Sequence, residues 1–219
     1  MPAVDRHLDL GCGKFPRNPY HRTELCGVDI RPLQAEGFEY RLANLAVEPI
    51  PYFDDSFGSV SAYDFIEHVP RLLPAPDGRS TIFPFVRLMD EIWRVLQPGG
   101  RLYALTPAYP HTQAFVDPTH VNIITECTHA YFCGEHPLAG MYGFTGRFKA
   151  LRCEWVHFAD VESTSHDLLE DLPQHVRRSR LKRLSRQARR FSRWLRGKSD
   201  PSTVKAHLLW ELEAIKPTR

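Results

Sequence analysis

Five short apolar runs lie within the first 107 residues: RHLDLG (6–11), LCGVDI (25–30), EYRLANL (39–45), FGSVSAYDF (57–65) and GRLYALTP (100–107). Runs of this length alternating with helical patterns predict βαβ units around a parallel sheet, and five strands in so little chain require short connections. Ahead of the fifth run, Phe85, Leu88, Met89, Ile92, Val95 and Leu96 recur at steps of three and four. That spacing predicts an amphipathic helix over 82–96, and the following QPGG stops it because proline and glycine do not continue a helix.

The whole chain has 219 residues, enough for one well-filled core with an appendage. With 42% hydrophobic and 25% charged residues it falls outside the disordered and fibrous classes. No run reaches the roughly 18 apolar residues of a membrane span, and MPAVDRHLDLGCG carries no apolar signal segment. The five cysteines include no CxxC pair, so neither a disulfide framework nor a zinc knuckle is expected, and a cytoplasmic location is. Charge is unevenly spread: eleven of the 28 Lys and Arg residues lie between Arg177 and Lys198, where Asp and Glu are absent. A mildly acidic body therefore bears one strongly basic segment.

The first run leads into LDLGCGKFP, a strand followed by glycines at 11 and 13. Such a turn lets backbone approach a ligand closely. A dinucleotide fingerprint would continue to a third glycine and a helix start, but Pro16 and RNPYHRT follow here, and no Lys-Ser/Thr pair suits a triphosphate.

Taken in order, LDLGCG, GVDI, LANL, YDFIEHV and LMDEIWRVLQPGGRLYALTP resemble the motifs of class I S-adenosylmethionine-dependent methyltransferases over residues 6–108. The resemblance implies a Rossmann-like α/β fold: a seven-stranded, mostly parallel sheet with an antiparallel last strand in a three-layer αβα arrangement, and S-adenosylmethionine as cofactor. It implies that Asp9, Gly11, Cys12 and Gly13 surround the methionine and ribose part, that Asp29 with Ile30 holds the ribose hydroxyls, and that Asn44 and Leu45 contact adenine. Tyr63 and Asp64 would face the cofactor after the fourth strand. Phe15 stands where many members of that family have a third glycine. For Asp9 the alternative is a carboxylate that caps the turn, and for Asn44 a residue that starts one.

Residues 108–146 mix aromatics, histidines, prolines and glycines without clean periodicity, as a substrate-binding lobe would. Within it, DPTH is similar to strings in some bacterial methyltransferases, and Asp117 stands three residues before His120. Asp117 can orient His120 as the general base for an attacking hydroxyl, or it can be a helix-capping aspartate beside an ordinary histidine. His68 is the second base candidate, with a structural pairing to Glu67 as its alternative. The spacings of His111, Asp117, His120, His129 and His136 match no metal-ligand pattern, so no metal is expected.

FKALRCEWVHF (148–158) and KAHLLWELEAIK (205–216) alternate like two strands of a hairpin with a large insertion between them. The expected organisation is a cofactor domain over 1–162 and 201–219, the lobe at 108–146 inside it, and a basic helical insertion at 163–200. In the insertion Leu181, Leu184, Ala188, Phe191 and Leu195 form an apolar stripe among arginines. That stripe can pack on the body, or 176–198 can lie on an anionic membrane surface, placing the protein at the inner face of the membrane; nucleic acid is disfavoured by the acidic body. The expected activity is methyl transfer to an oxygen or nitrogen of a small-molecule, glycan or lipid-linked acceptor. A cyclase or lyase on the same fold, or an inactive binding module, is the alternative.

Overall fold

The computed structural model describes residues 4–158, 161 and 205–217. The chain divides into two units, Met1–Trp155 with His207–Arg219, and Val156–Ala206. The basic helix expected over 176–198 lies outside the described residues. Among the described residues no helix is long and apolar enough to cross a membrane.

The first unit is built on β1 (Arg6–Leu10), β2 (Glu24–Asp29), β3 (Glu39–Leu42), β4 (Phe57–Tyr63), the short β5 (Leu73–Pro74) and β6 (Thr81–Ile82), α1 (Pro84–Val95), β7 (Leu96–Pro107), β8 (Phe148–Val156) and β9 (His207–Ala214). Seven strands form one sheet in the order β3-β2-β1-β4-β7-β9-β8, while β5 and β6 pair separately. The pairs β1–β2, β1–β4, β2–β3 and β4–β7 are parallel, and β9 runs antiparallel to β7. The expected seven-stranded, mostly parallel sheet is therefore present, and the two late runs are neighbours in it. The order reverses between β1 and β4, and ligands of open α/β sheets bind beyond the carboxyl ends of the strands at such a switch point.

Burial explains the central strands. His7 to Leu10 of β1 and all seven residues of β4 are buried, because both strands have neighbours on either side and both faces covered. Helix α1 starts at Pro84, whose fixed φ suits a first helical position, and buries Phe85, Leu88, Met89, Ile92 and Val95.

Two expectations about connections need correction. Among the described residues the alternation with helices is met only by α1, and 11–23, 30–38 and 43–56 are turns and irregular loops. Pro16, Pro19, Pro32, Pro49 and Pro51 lie in these segments, and each removes a backbone donor that a helix would use. The QPGG stretch is no free turn before a strand at 100. Leu96 already pairs with Phe57, the register shifts before Ser59, and Gly99 takes a φ of 73° within the bulge.

The lobe at 108–146 is made of short 3-10 turns, Thr112–Phe115, Thr128–Phe132 and Leu138–Tyr142. It is fixed by aromatic contacts: Phe132 meets Phe85 of α1 and Phe144 edge-on, with ring centroids 5.4 Å apart in each case.

Candidate active site

The glycine turn after β1 is held by hydrogen bonds from its own backbone. The amides of Gly11 and Cys12 both donate to the carbonyl of Val28 in β2, at 2.8 and 3.2 Å. Gly11 has a φ of 68°, and a Cβ there would come within 2.7 Å of the Phe65 ring, so only glycine fits. Cys12 is buried and fills the space left by Gly27 of β2, where a Cβ would lie 2.6 Å from its sulfur. Burial pushes the Cys12 thiol up to about 12, so it remains a thiol at neutral pH.

Asp9 is fully buried and both its oxygens are engaged by the protein. Oδ2 accepts from the Arg17 amide at 2.8 Å, which closes the turn, and Oδ1 accepts from the Ser61 hydroxyl at 2.5 Å. Burial pushes this carboxyl up to about 7 against the effect of those two donors. Behind it runs a buried polar chain. Arg22 Nε donates to Ser59 Oγ at 2.9 Å, and His7 bridges Ser59 through Nδ1 and Ser61 through Nε2, each at 2.8 Å. Burial drives His7 down to about 3, so its ring is neutral. The donors then run one way: Arg22 to Ser59, Ser59 to His7 Nδ1, His7 Nε2 to Ser61, Ser61 to Asp9. His7, Ser59 and Ser61 escaped the sequence reading. Their signal was the period of two, since His7 pairs with Ser59 and Asp9 with Ser61 across β1 and β4.

Asp29 ends β2, and its carboxylate is aligned by two backbone donors. Arg31 N–H reaches Oδ1 at 2.9 Å and Gly13 N–H reaches Oδ2 at 2.9 Å. The exposed Arg31 guanidinium lies over the same carboxylate, with Nε 3.0 Å from Oδ1. Although burial opposes it, these hydrogen bonds hold the Asp29 carboxyl below the usual range. Beyond Asp29, Ile30 is exposed. Asn44 starts a turn: its side-chain oxygen accepts from Ala46 N–H at 3.2 Å and its carbonyl accepts from Val47 and Glu48. Leu45 is buried in the core. Tyr63 is also buried, with the Arg17 guanidinium 4.7 Å above its ring.

After β4, Asp64 adopts a φ of 45°, and its Oδ1 stands 3.4 Å from His207 Nε2. Glu67, 1% exposed, accepts from the Thr106 hydroxyl at 2.9 Å through Oε2, while Oε1 is buried without a hydrogen-bond partner. Burial pushes its carboxyl up to about 8. The Glu67 carbonyl accepts from the amides of Val121 and Asn122, which ties the strand end to the lobe.

That tie brings the DPTH string over the end of β4. The Asp117 carboxylate does not reach the His120 ring. It turns back to Thr119, accepting from N–H at 2.8 Å and from Oγ1 at 2.7 Å, and these bonds lower its pKa. Thr119 Oγ1 lies 2.9 Å from His68 Nδ1. Because the Thr119 proton goes to Asp117, His68 Nδ1 is the donor in that contact. So Asp117 orients His68 through Thr119, and Glu67 faces His120 instead of His68. The His120 ring lies 4.7 Å from that of His68, its Nδ1 is 3.2 Å from the Ala114 carbonyl, and its Nε2 is 4.0 Å from Glu67 Oε1. Sequence spacing concealed this cluster because it joins residues some fifty positions apart.

A cavity of about 620 Å³ is lined by Phe83, Phe85, Ile123, Tyr131, Phe132 and Tyr142 among others. Arg71 also lines it and donates to Asn122 Oδ1 at 2.7 Å and to the Ile123 carbonyl, joining its wall to the segment bonded to Glu67. None of the glycine-turn residues borders it.

A mostly parallel seven-stranded sheet with a glycine turn after its first strand and an oriented carboxylate at the end of its second is the arrangement of the class I methyltransferase fold. Residues 8–104 match the family model described as methyltransferase domain. One solved structure shares the fold at a TM-score above 0.5. A chain of the Haloferax volcanii complex between the Trm112 methyltransferase activator and a candidate methyltransferase is 15% identical with a TM-score of 0.54, covering 99% of this chain and 86% of that one. An S-adenosylmethionine-dependent methyltransferase from Mesorhizobium loti is 15% identical with a TM-score of 0.49, covering 97% and 93%. The [4+2]-cyclase SpnF is 15% identical with a TM-score of 0.48, covering 96% and 74%. No curated protein matches the sequence.

The cofactor of this class is S-adenosylmethionine, and the residues present fit it. Asp29 offers a carboxylate already aligned by two amides, and the exposed Arg31 side chain lies across it.

Proposed function

We propose that this chain is an S-adenosylmethionine-dependent methyltransferase that delivers the methyl group to an oxygen or nitrogen of a small-molecule, glycan or lipid-linked acceptor. The observation that carries the reading is the placement of two sites on one carboxyl edge: Asp29, fixed by Gly13 and Arg31, at the end of β2, and the Glu67, His68 and His120 cluster after β4. When bound, S-adenosylmethionine supplies an activated methyl group on a sulfonium. Asp29 takes the ribose hydroxyls once the Arg31 guanidinium swings aside, Ile30 gives the adenine an apolar contact, and Asn44 a polar one. Asp9 acts indirectly, by closing the turn on Arg17.

On the acceptor side, His120 presents Nε2 as a proton acceptor because its Nδ1 faces the Ala114 carbonyl. His68 is the second such group, oriented by Asp117 through Thr119. The main contribution to rate is positioning, since holding donor and acceptor in line removes the entropic cost of a bimolecular encounter. The apolar cavity gives room for the body of the acceptor. The basic segment 176–198, read from the sequence, meets an anionic membrane surface, and cosedimentation with anionic vesicles tests that role.

The decisive test is a screen of hydroxyl and amine acceptors for release of S-adenosylhomocysteine. His120→Ala is expected to lower turnover at least about tenfold, the low side of a general base contribution. An unchanged rate would remove His120 from the mechanism. Release of methylthioadenosine in place of S-adenosylhomocysteine would overturn methyl transfer itself.

A further inference from the structure

We infer that Glu67, His68 and His120 form a binding site for one first-row divalent cation, placed to take the acceptor's oxygen. The inference rests on the proposed methyltransferase reading only for its purpose; the site stands on its own geometry. One ring nitrogen of each histidine and one carboxylate oxygen of Glu67 all lie within 4.8 Å of one another. Two imidazole nitrogens and one carboxylate oxygen are the mixed set that zinc, iron, manganese or cobalt accepts, and three protein ligands leave positions open for a substrate.

Three features argue for a cation over a fortuitous cluster. Glu67 Oε1 is buried with no hydrogen-bond partner, an arrangement that is costly unless a positive charge completes it. His120 Nε2 is 4.0 Å from that oxygen, too far for a hydrogen bond. Two ligands sharing an ion at bond lengths of about 2.1 Å stand roughly 3 to 4 Å apart, so small side-chain rotations close the site.

The third feature is how the imidazoles are held. His120 donates from Nδ1 to the Ala114 carbonyl, and His68 donates from Nδ1 to Thr119 Oγ1, which passes its own proton to Asp117. Both rings are therefore fixed with Nε2 unprotonated and free to ligate. A carboxylate or carbonyl behind the distal nitrogen is the usual support of a metal-bound histidine. The DPTH string then has a physical reading: Asp117 and Thr119 orient one ligand, and His120 is another.

In the loaded protein the imidazoles hold the ion and give up the proton-acceptor role they have without it. The acceptor hydroxyl loses its proton more readily because the cation lowers its pKa, so that oxygen can displace the methyl group from sulfur. The acceptor's O–H bond breaks, the O–C bond forms as the C–S bond breaks, and the proton passes to solvent.

The test is titration of the purified full chain with Co2+, read by visible absorption and by calorimetry, with Zn2+ as competitor. One Co2+ per chain is expected, with binding weakened at least about 100-fold by Glu67→Gln or His68→Gln. Thr119→Val should weaken it about 10- to 100-fold and Thr119→Ser should restore it, whereas His136→Ala should leave it unchanged. Near-ultraviolet circular dichroism confirms that each variant is folded, and Thr119→Val, which changes no ligand, decides the matter if Glu67→Gln unfolds. No stoichiometric Co2+ binding, or binding that these substitutions leave unaltered, would overturn the site. S-adenosylmethionine binding measured without metal separates the two claims: cofactor binding without Co2+ binding defeats the cation site alone, and the reverse defeats the methyltransferase reading alone.

Discussion

His7 belongs to a chain of hydrogen bonds that joins the Arg22 cation to the Asp9 carboxyl through two serines, all within a sheet that excludes water. Replacing it by leucine leaves Ser59 and Ser61 without their shared partner in the core. A loss of about 1–3 kcal/mol is expected from chemical denaturation, since each serine loses one buried hydrogen bond while Ser59 keeps Arg22 and Ser61 keeps Asp9. Asp9 adds a pH signature. Its folded-state pKa, about 7, lies above the unfolded value, so the folded protein binds that proton more tightly. This favourable contribution is complete below about pH 4 and is lost as pH rises through about 7. Denaturation at pH 5 and pH 8 should therefore show a larger drop in stability for the wild type than for Asp9→Asn. Sequence reading singled out Asp9 but not its partners, because a histidine in an apolar run shows its role only when the neighbouring strand's register is known.

At the level of elements, the strands were legible and the connections less so. Apolar runs located β1 and β4 because those strands are buried on both faces, and three- and four-residue spacing located α1. The prolines between β1 and β4 were visible, yet the alternation of apolar runs with helical patterns favoured helices there. The bulge that starts β7 was hidden because Leu96 reads equally as the last turn of a helix and the first residue of a strand. Packing of β2 against the glycine turn is more specific than either element suggests alone. A Cβ on Gly27 would lie 2.6 Å from Cys12 Sγ and 2.9 Å from Phe38. Gly27→Ala is expected to cost about 1–3 kcal/mol in thermal or chemical denaturation. Adding Cys12→Ala should recover part of that loss, and full additivity of the two substitutions would contradict the contact.

For the whole molecule, the carboxyl edge of the parallel strands gathers the candidate site residues. Asp29 ends β2, Asp64 and Glu67 lie beyond β4, and the lobe carries Thr119 and His120 over that end. The order of motifs along the chain made this edge readable, because a parallel sheet puts all its strand ends on one side. The meeting of His68 with Thr119 was not readable, since the path of an aperiodic lobe is set by tertiary contacts such as the Glu67 carbonyl to Val121 and Asn122. Arg31 was equally hidden: nothing in DIRP announces that its guanidinium folds back on the preceding aspartate.

Asp29 and the turn beside it form the proposed S-adenosylmethionine site, and calorimetric titration of the wild type and Asp29→Ala with that cofactor decides whether they do. One molecule per chain is predicted for the wild type, with affinity reduced at least about 100-fold in Asp29→Ala, as expected when charged hydrogen bonds worth about 1.5–3 kcal/mol each are removed. No binding by the wild type at about 1 mM, which corresponds to roughly −4 kcal/mol, or equal binding by the two proteins, would contradict the account.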